Sequence, residues 1–235
     1  MVRRTVRGVQ GGAYREIVMA WTGRGALVAW HDVEEGWEAE YRQWHSHEHM
    51  KERLAIPGFL HGFRYAAVGS GPQYLIIYEV ADMDVFTSPA YLDRLNNPSE
   101  WTRRMMPSLR GMNRSLCRVV ASVGSGAGRY MQTTRFSPSL REQTRLEEAL
   151  SGELRALAAE PFLTGAHLLV ADPAASATPT QERQMRGGQD QVADCVLLVE
   201  GFDRGVVATN RSECLLKAGV REEVTADLYE IEHLA

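Results

Sequence analysis

Five of the chain's 7 histidines fall within residues 31–61: His31, His45, His47, His49 and His61. Imidazole titrates near pH 6.5, so small changes of environment tune it for proton transfer at neutral pH. The densest part is His45-Ser46-His47-Glu48-His49. On a helix His45 and His49 lie one turn apart and share a face, while His47 points elsewhere. Three chemistries compete. In the first, His49 is a general acid/base, with His45 or His31 as partner and Glu48 as orienter. In the second, the H-x-x-E-H pattern makes His45 and His49 zinc ligands and Glu48 the base. No third ligand is evident in the sequence, so the expectation is a site without metal. In the third, the rings merely pack an amphipathic helix.

Residues 37–54 supply that helix. Large side chains recur at Trp37, Tyr41, Trp44 and Glu48 along one stripe, and Ile56-Pro57-Gly58 stops the run. Tyr41 and Trp44 are therefore candidate pocket walls. An apolar, β-rich segment, Ala26–Val33, precedes the helix and ends near His31. Phe59–Val68 follows it and alternates His61, Phe63 and Tyr65 against Gly62 and Arg64. Gln73–Val80 is a third strand. The substrate-binding candidates from these strands are His61, Arg64 and Tyr78, with Arg64 suited to a carboxylate. Residues 83–109 read as helical, interrupted at Pro89 and Pro98. A fourth strand spans Arg114–Val123.

Gly124–Gly128 reads as a linker, and the order then recurs. Tyr130–Phe136 is a strand. Leu140–Ala159 is a helix with Leu146, Leu150, Leu154 and Leu157 at helical spacing. Ala166–Asp172 and Cys195–Phe202 are strands, Val206–Ala218 a short helix and Val224–His233 a last strand. Residues 173–190 read as an exposed loop. The sequence thus predicts an α+β chain of two tandem β-α-β-β-α-β, ferredoxin-like halves, 25–124 and 129–235, after a loose extension, 1–24, in which Met19 could be the true start. Each half has a bare sheet face. Packing the two faces together gives an α/β barrel within one chain. The first half holds the histidines and is expected to carry the active site; the second is expected to be structural.

A formal net charge of −4 argues against nucleic-acid binding. Three dispersed cysteines fit a reducing, cytoplasmic setting. No apolar run approaches membrane-span length, so no membrane partner is expected.

The segment Trp44–Tyr65, WHSHEHMKERLAIPGFLHGFRY, resembles the dimeric α/β-barrel superfamily, and within it the EthD-like proteins. Trp44, His49, Pro57, Gly58 and Phe59 carry the resemblance. It implies a small-molecule site between sheet and helices with His49 as the principal group. Members usually pair as dimers to close the barrel; here the second half can supply that sheet, and a homodimer is allowed for. The superfamily includes cofactor-free monooxygenases, isomerases, dehydratases and haem enzymes, so the fold leaves the reaction open. Residues 83–123 contain no histidine to ligate haem. The expected activity is that of a cofactor-independent lyase, dehydratase or isomerase acting on a ring-containing or hydrophobic molecule. The alternatives are a metal- or haem-dependent enzyme of the same fold and a non-catalytic ligand-binding or stress-response module.

Overall fold

The computed structural model describes residues 21–138, 143–187, 190–209, 212–220 and 224–235. The first half runs β1 (Gly25–Val33), α1 (Glu38–Trp44), a wide turn at His45–His49, α2 (Met50–Leu54), β2 (Phe59–Ala67), β3 (Tyr74–Val80), α3 (Pro89–Asn96), α4 (Glu100–Met105) and β4 (Leu109–Gly124). The second runs β5 (Tyr130–Phe136), α5 (Gln143–Ala158), β6 (Leu163–Ala171), α6 (Pro173–Ser176), α7 (Gln181–Met185), β7 (Cys195–Gly201), α8 (Arg204–Val207), α9 (Ser212–Ala218) and β8 (Thr225–Leu234). Serines set two helix starts: Ser88 caps α3, whose first residue is Pro89, and Ser99 caps α4.

Eight antiparallel strands close into one barrel, in the order β1-β3-β2-β8-β5-β7-β6-β4. The halves meet at two seams, β2 with β8 and β4 with β6. The predicted intrachain barrel is therefore the observed fold. β4 begins earlier than the sequence suggested. After a register shift between Trp30 and Asp32, the pairing with β1 continues to Arg110 and Leu109.

Closure explains why most strands read as continuous apolar runs. One face looks into the barrel and the other lies under helices, so both are buried. Val28, Trp30, Phe63, Tyr65, Ile77, Leu198 and Tyr229 fill the interior. Leu27, Ala29, Ile76 and Tyr78 belong to the layer beneath the first half's helices. Leu146, Leu150, Leu154 and Leu157 seat α5 on the second half, as their spacing predicted.

Two expectations change. Of the supposed loose extension, residues 1–20 lie outside the described residues, but Trp21 is buried and stacks on His167 at 4.4 Å. Residues 173–190 are not simply an exposed loop. Asp172 caps α6, Thr180 caps α7, and Ser176, Thr180 and Glu182 are buried. These short polar caps are the local reason that an otherwise loop-like composition turns helical.

Candidate active site

The helix over the first sheet is continuous from Glu38 to Leu54, but its middle is a π turn. The Met50 N–H reaches back five residues to the His45 carbonyl. An α-helix drifts off any four-residue repeat, and the wider turn takes up that drift. Tyr41, His45, His49 and Arg53 consequently share one buried, inward face. The same rotation takes Glu48 off the stripe where the sequence placed it.

This face, the outer face of β1, β3 and β4, and part of α7 line a partly open cavity of about 60 Å³. His31, Tyr41, Trp44, His45, His49 and Tyr78 line it, joined by Arg53, Tyr91, Arg114, Glu182 and Arg186. His49 lies against Trp44 at 4.4 Å and against His45 at 5.6 Å between ring centroids. The Tyr41 hydroxyl and His31 Nε2 share a hydrogen bond of 2.9 Å. Arg64 Nη1 donates to His45 Nδ1 at 3.4 Å. His45 therefore carries its proton on Nε2, which faces the Tyr78 hydroxyl at 3.4 Å.

All three imidazoles are held neutral at pH 7. Burial, with Arg186 nearby, lowers His31 to about 3. Burial likewise depresses His45, with Arg64 as the leading charge, and His49, with Arg53 as the leading charge. Burial raises the Tyr41 and Tyr78 phenols, so both keep their protons.

His31 Nδ1, His49 Nδ1 and Arg53 Nη1 are buried without a hydrogen-bond partner among the described residues. His167 is the instructive contrast. It lies inside the barrel with Nδ1 2.9 Å from Ser122 Oγ and Nε2 2.9 Å from Glu200. Both of its nitrogens are satisfied, as a structural histidine requires. His31, His49 and Arg53, which line the cavity, lack that saturation.

The structure does not bring three of the expected residues to this cavity. Glu48 accepts hydrogen bonds from Ser99 and Thr102 at the start of α4. His61 sits at a barrel end against Glu79, because β2 turns its odd-numbered side chains inward. Arg64 faces the helices but sits behind His45, bonded to Glu232, Ser46 and the Arg42 carbonyl. The cavity's guanidiniums are instead Arg53, Arg114 and Arg186. Only Arg53, four residues beyond His49, left a signal in the sequence. Glu182 and Arg186 arrive from the second half. Arg53 Nη2 lies 2.6 Å from both Glu182 oxygens, and both side chains are buried.

Among the described residues, no three His, Cys, Asp or Glu side chains converge as a metal site. Glu48, the presumptive base of the zinc pattern, is engaged elsewhere.

No family model matches the chain, and no curated protein matches it. Solved structures do. An anthrone oxidase-like protein superposes with a TM-score of 0.63 at 12% identity, over 93% of this chain and 95% of its own. A candidate monooxygenase from Fusobacterium nucleatum gives 0.60 at 11%, over 90% and 94%. A candidate chlorite dismutase gives 0.51 at 13%, over 89% and 94%. At such identities the likeness establishes the shared ferredoxin-like α/β-barrel fold. Among the described residues, no helix is long and apolar enough to cross a membrane.

Proposed function

We propose that the cavity is the active site of a cofactor-independent enzyme that removes a proton from a small ring-bearing molecule, with His49 as the base. One observation carries this reading. His49, a buried imidazole neutral at pH 7, and Arg53 stand together on the cavity wall, and each carries a buried nitrogen, Nδ1 and Nη1, without a hydrogen-bond partner among the described residues.

A neutral imidazole can accept a proton. The enolate or carbanion left behind needs an electrostatic partner, and Arg53 Nη1 is a fixed donor in a site poor in water. The imidazolium then faces an anion instead of a bare guanidinium, which offsets the burial that makes His49 a weak base in the empty cavity. Returning the proton at another carbon completes an isomerisation; expelling a leaving group completes a lyase or dehydratase reaction. Tyr41, Trp44 and Tyr78 sandwich the ring. His45, aligned by Arg64, sets the Tyr78 hydroxyl and acts as a positioning residue. The kinship with EthD-like proteins and a cytoplasmic setting belong to the same proposal.

The test is proton exchange. Cyclic ketones and lactones incubated with the protein in D2O should take up deuterium at acidic carbons, followed by NMR. His49→Gln should slow exchange by about 10²–10⁴-fold, the usual worth of a positioned base. Equal exchange by wild type and variant would remove the reading.

A second reading is favoured by the structural neighbours described as anthrone oxidase-like and monooxygenase. The same carbanion could be captured by molecular oxygen in place of a proton. Oxygen consumption during turnover would select this branch, and its absence would select the first.

A further inference from the structure

We propose that the ligand of this cavity is an anion, a compact ring-bearing carboxylic acid bound as its carboxylate, with its charge seated between the Arg53 and Arg114 guanidiniums. The proposal rests on the reading above only in sharing its cavity; the anion seat stands or falls on binding, without turnover.

The charges on the wall do not balance. Arg53, Arg114 and Arg186 all line the space, and among the described residues two carboxylates, Glu182 and Asp190, pair with them. Glu182 pairs with Arg53 Nη2 and leaves Nη1 bare. Arg186 is held by Asp190 at 2.6 Å. Arg114 donates to the Tyr91 hydroxyl at 2.5 Å, and among the described residues no carboxylate lies within ion-pair distance of it. The histidines contribute no positive charge near pH 7. The wall therefore carries one more guanidinium than carboxylates in a partly dehydrated space, and a buried N–H of Arg53 without an acceptor among the described residues. Each is costly. One carboxylate relieves both, since its two oxygens match the fork geometry of guanidinium donors.

The remaining surface describes the rest of the ligand. Trp44, Tyr41 and Tyr78 offer ring faces, and Leu27, Ala29 and Ile76 offer an apolar floor. This ring-lined wall suits a compact acid better than a long-chain one. The His49 ring, on the same wall, then lies beside the body of a ligand whose charge is already anchored.

Calorimetric titration with matched pairs tests this: benzoate against benzamide, and acetate against acetamide, in a chloride-free buffer at pH 7. Each acid is expected to bind at least tenfold more tightly than its amide. Arg114→Met should weaken benzoate at least tenfold. Arg53→Lys, which keeps the ion pair with Glu182 but lacks the second terminal nitrogen and its fork geometry, should do the same, and it guards against misfolding of a charge-deleted variant. Equal binding of acid and amide, failure of both acids to bind, or wild-type affinity in both variants would overturn the proposal. Charge selectivity without deuterium exchange would leave the anion seat standing and discard the base. Exchange on neutral ketones without acid preference would do the reverse.

Discussion

Replacing Glu182 by Gln should unfold the protein at a markedly lower temperature. The Arg53–Glu182 pair joins α2 to α7, 129 residues apart in sequence, and its side chains are 3% and 5% exposed. Gln keeps the shape and removes the charge. Arg53 then stays cationic in a buried setting, with Nη1 already lacking a partner. Removing one member of a buried pair costs roughly 3–5 kcal/mol, because the survivor is uncompensated. For a chain of this size each kcal/mol lowers Tm by about 2–4 °C, which gives a fall of roughly 6–20 °C. Calorimetric or circular-dichroism melts of wild type and Glu182→Gln would measure it. The double variant Arg53→Met with Glu182→Met should recover most of the loss, since no buried charge remains. A fall below about 2 °C for the single variant, a small fraction of that cost, would refute the idea that this pair clamps the second half over the first half's cavity.

Acid should destabilise the fold through its buried imidazoles. Unfolded histidine binds a proton near pH 6.5, whereas His31 does so at about 3 when folded, so the unfolded state holds more protons between those values and stability falls as pH drops. His31 alone accounts for at most roughly 5 kcal/mol by pH 3; urea midpoints at pH 7, 5 and 4 should fall more for wild type than for His31→Gln, and parallel curves would contradict this. Gly128→Ala should prevent proper closure, because the added carbon would meet the Gly201 backbone nitrogen at 2.3 Å. Gly152→Ala, in α5 with nothing within 4 Å, should instead stabilise by about 0.5–1 kcal/mol in the same melts.

The barrel was legible in the sequence because burial on both faces writes long apolar runs, as in Tyr74–Val80 and Cys195–Gly201. The leucines of α5 were legible for the same reason. The cavity was legible only in part. Trp44, Tyr41, His45, His49, His31 and Tyr78 lie on its wall, but Glu48, His61 and Arg64 do not. One hydrogen bond from Met50 to His45 sets the phase of the whole helix face, and no residue type announces it. Alternation along β2 left two faces to choose between, and His61 fell on the inward side, at an exposed end of the barrel away from the cavity. Glu182 and Arg186 could not be foreseen, since their neighbours at the cavity are distant in sequence and depend on how the halves dock.

Because both sheets belong to one polypeptide, ring closure is a unimolecular event. Its equilibrium does not depend on protein concentration, as that of a barrel assembled from two separate chains would. Dilution cannot pull the seams β2–β8 and β4–β6 apart. Nor does the closed ring offer an open row of backbone amides on which another molecule could template its own strands.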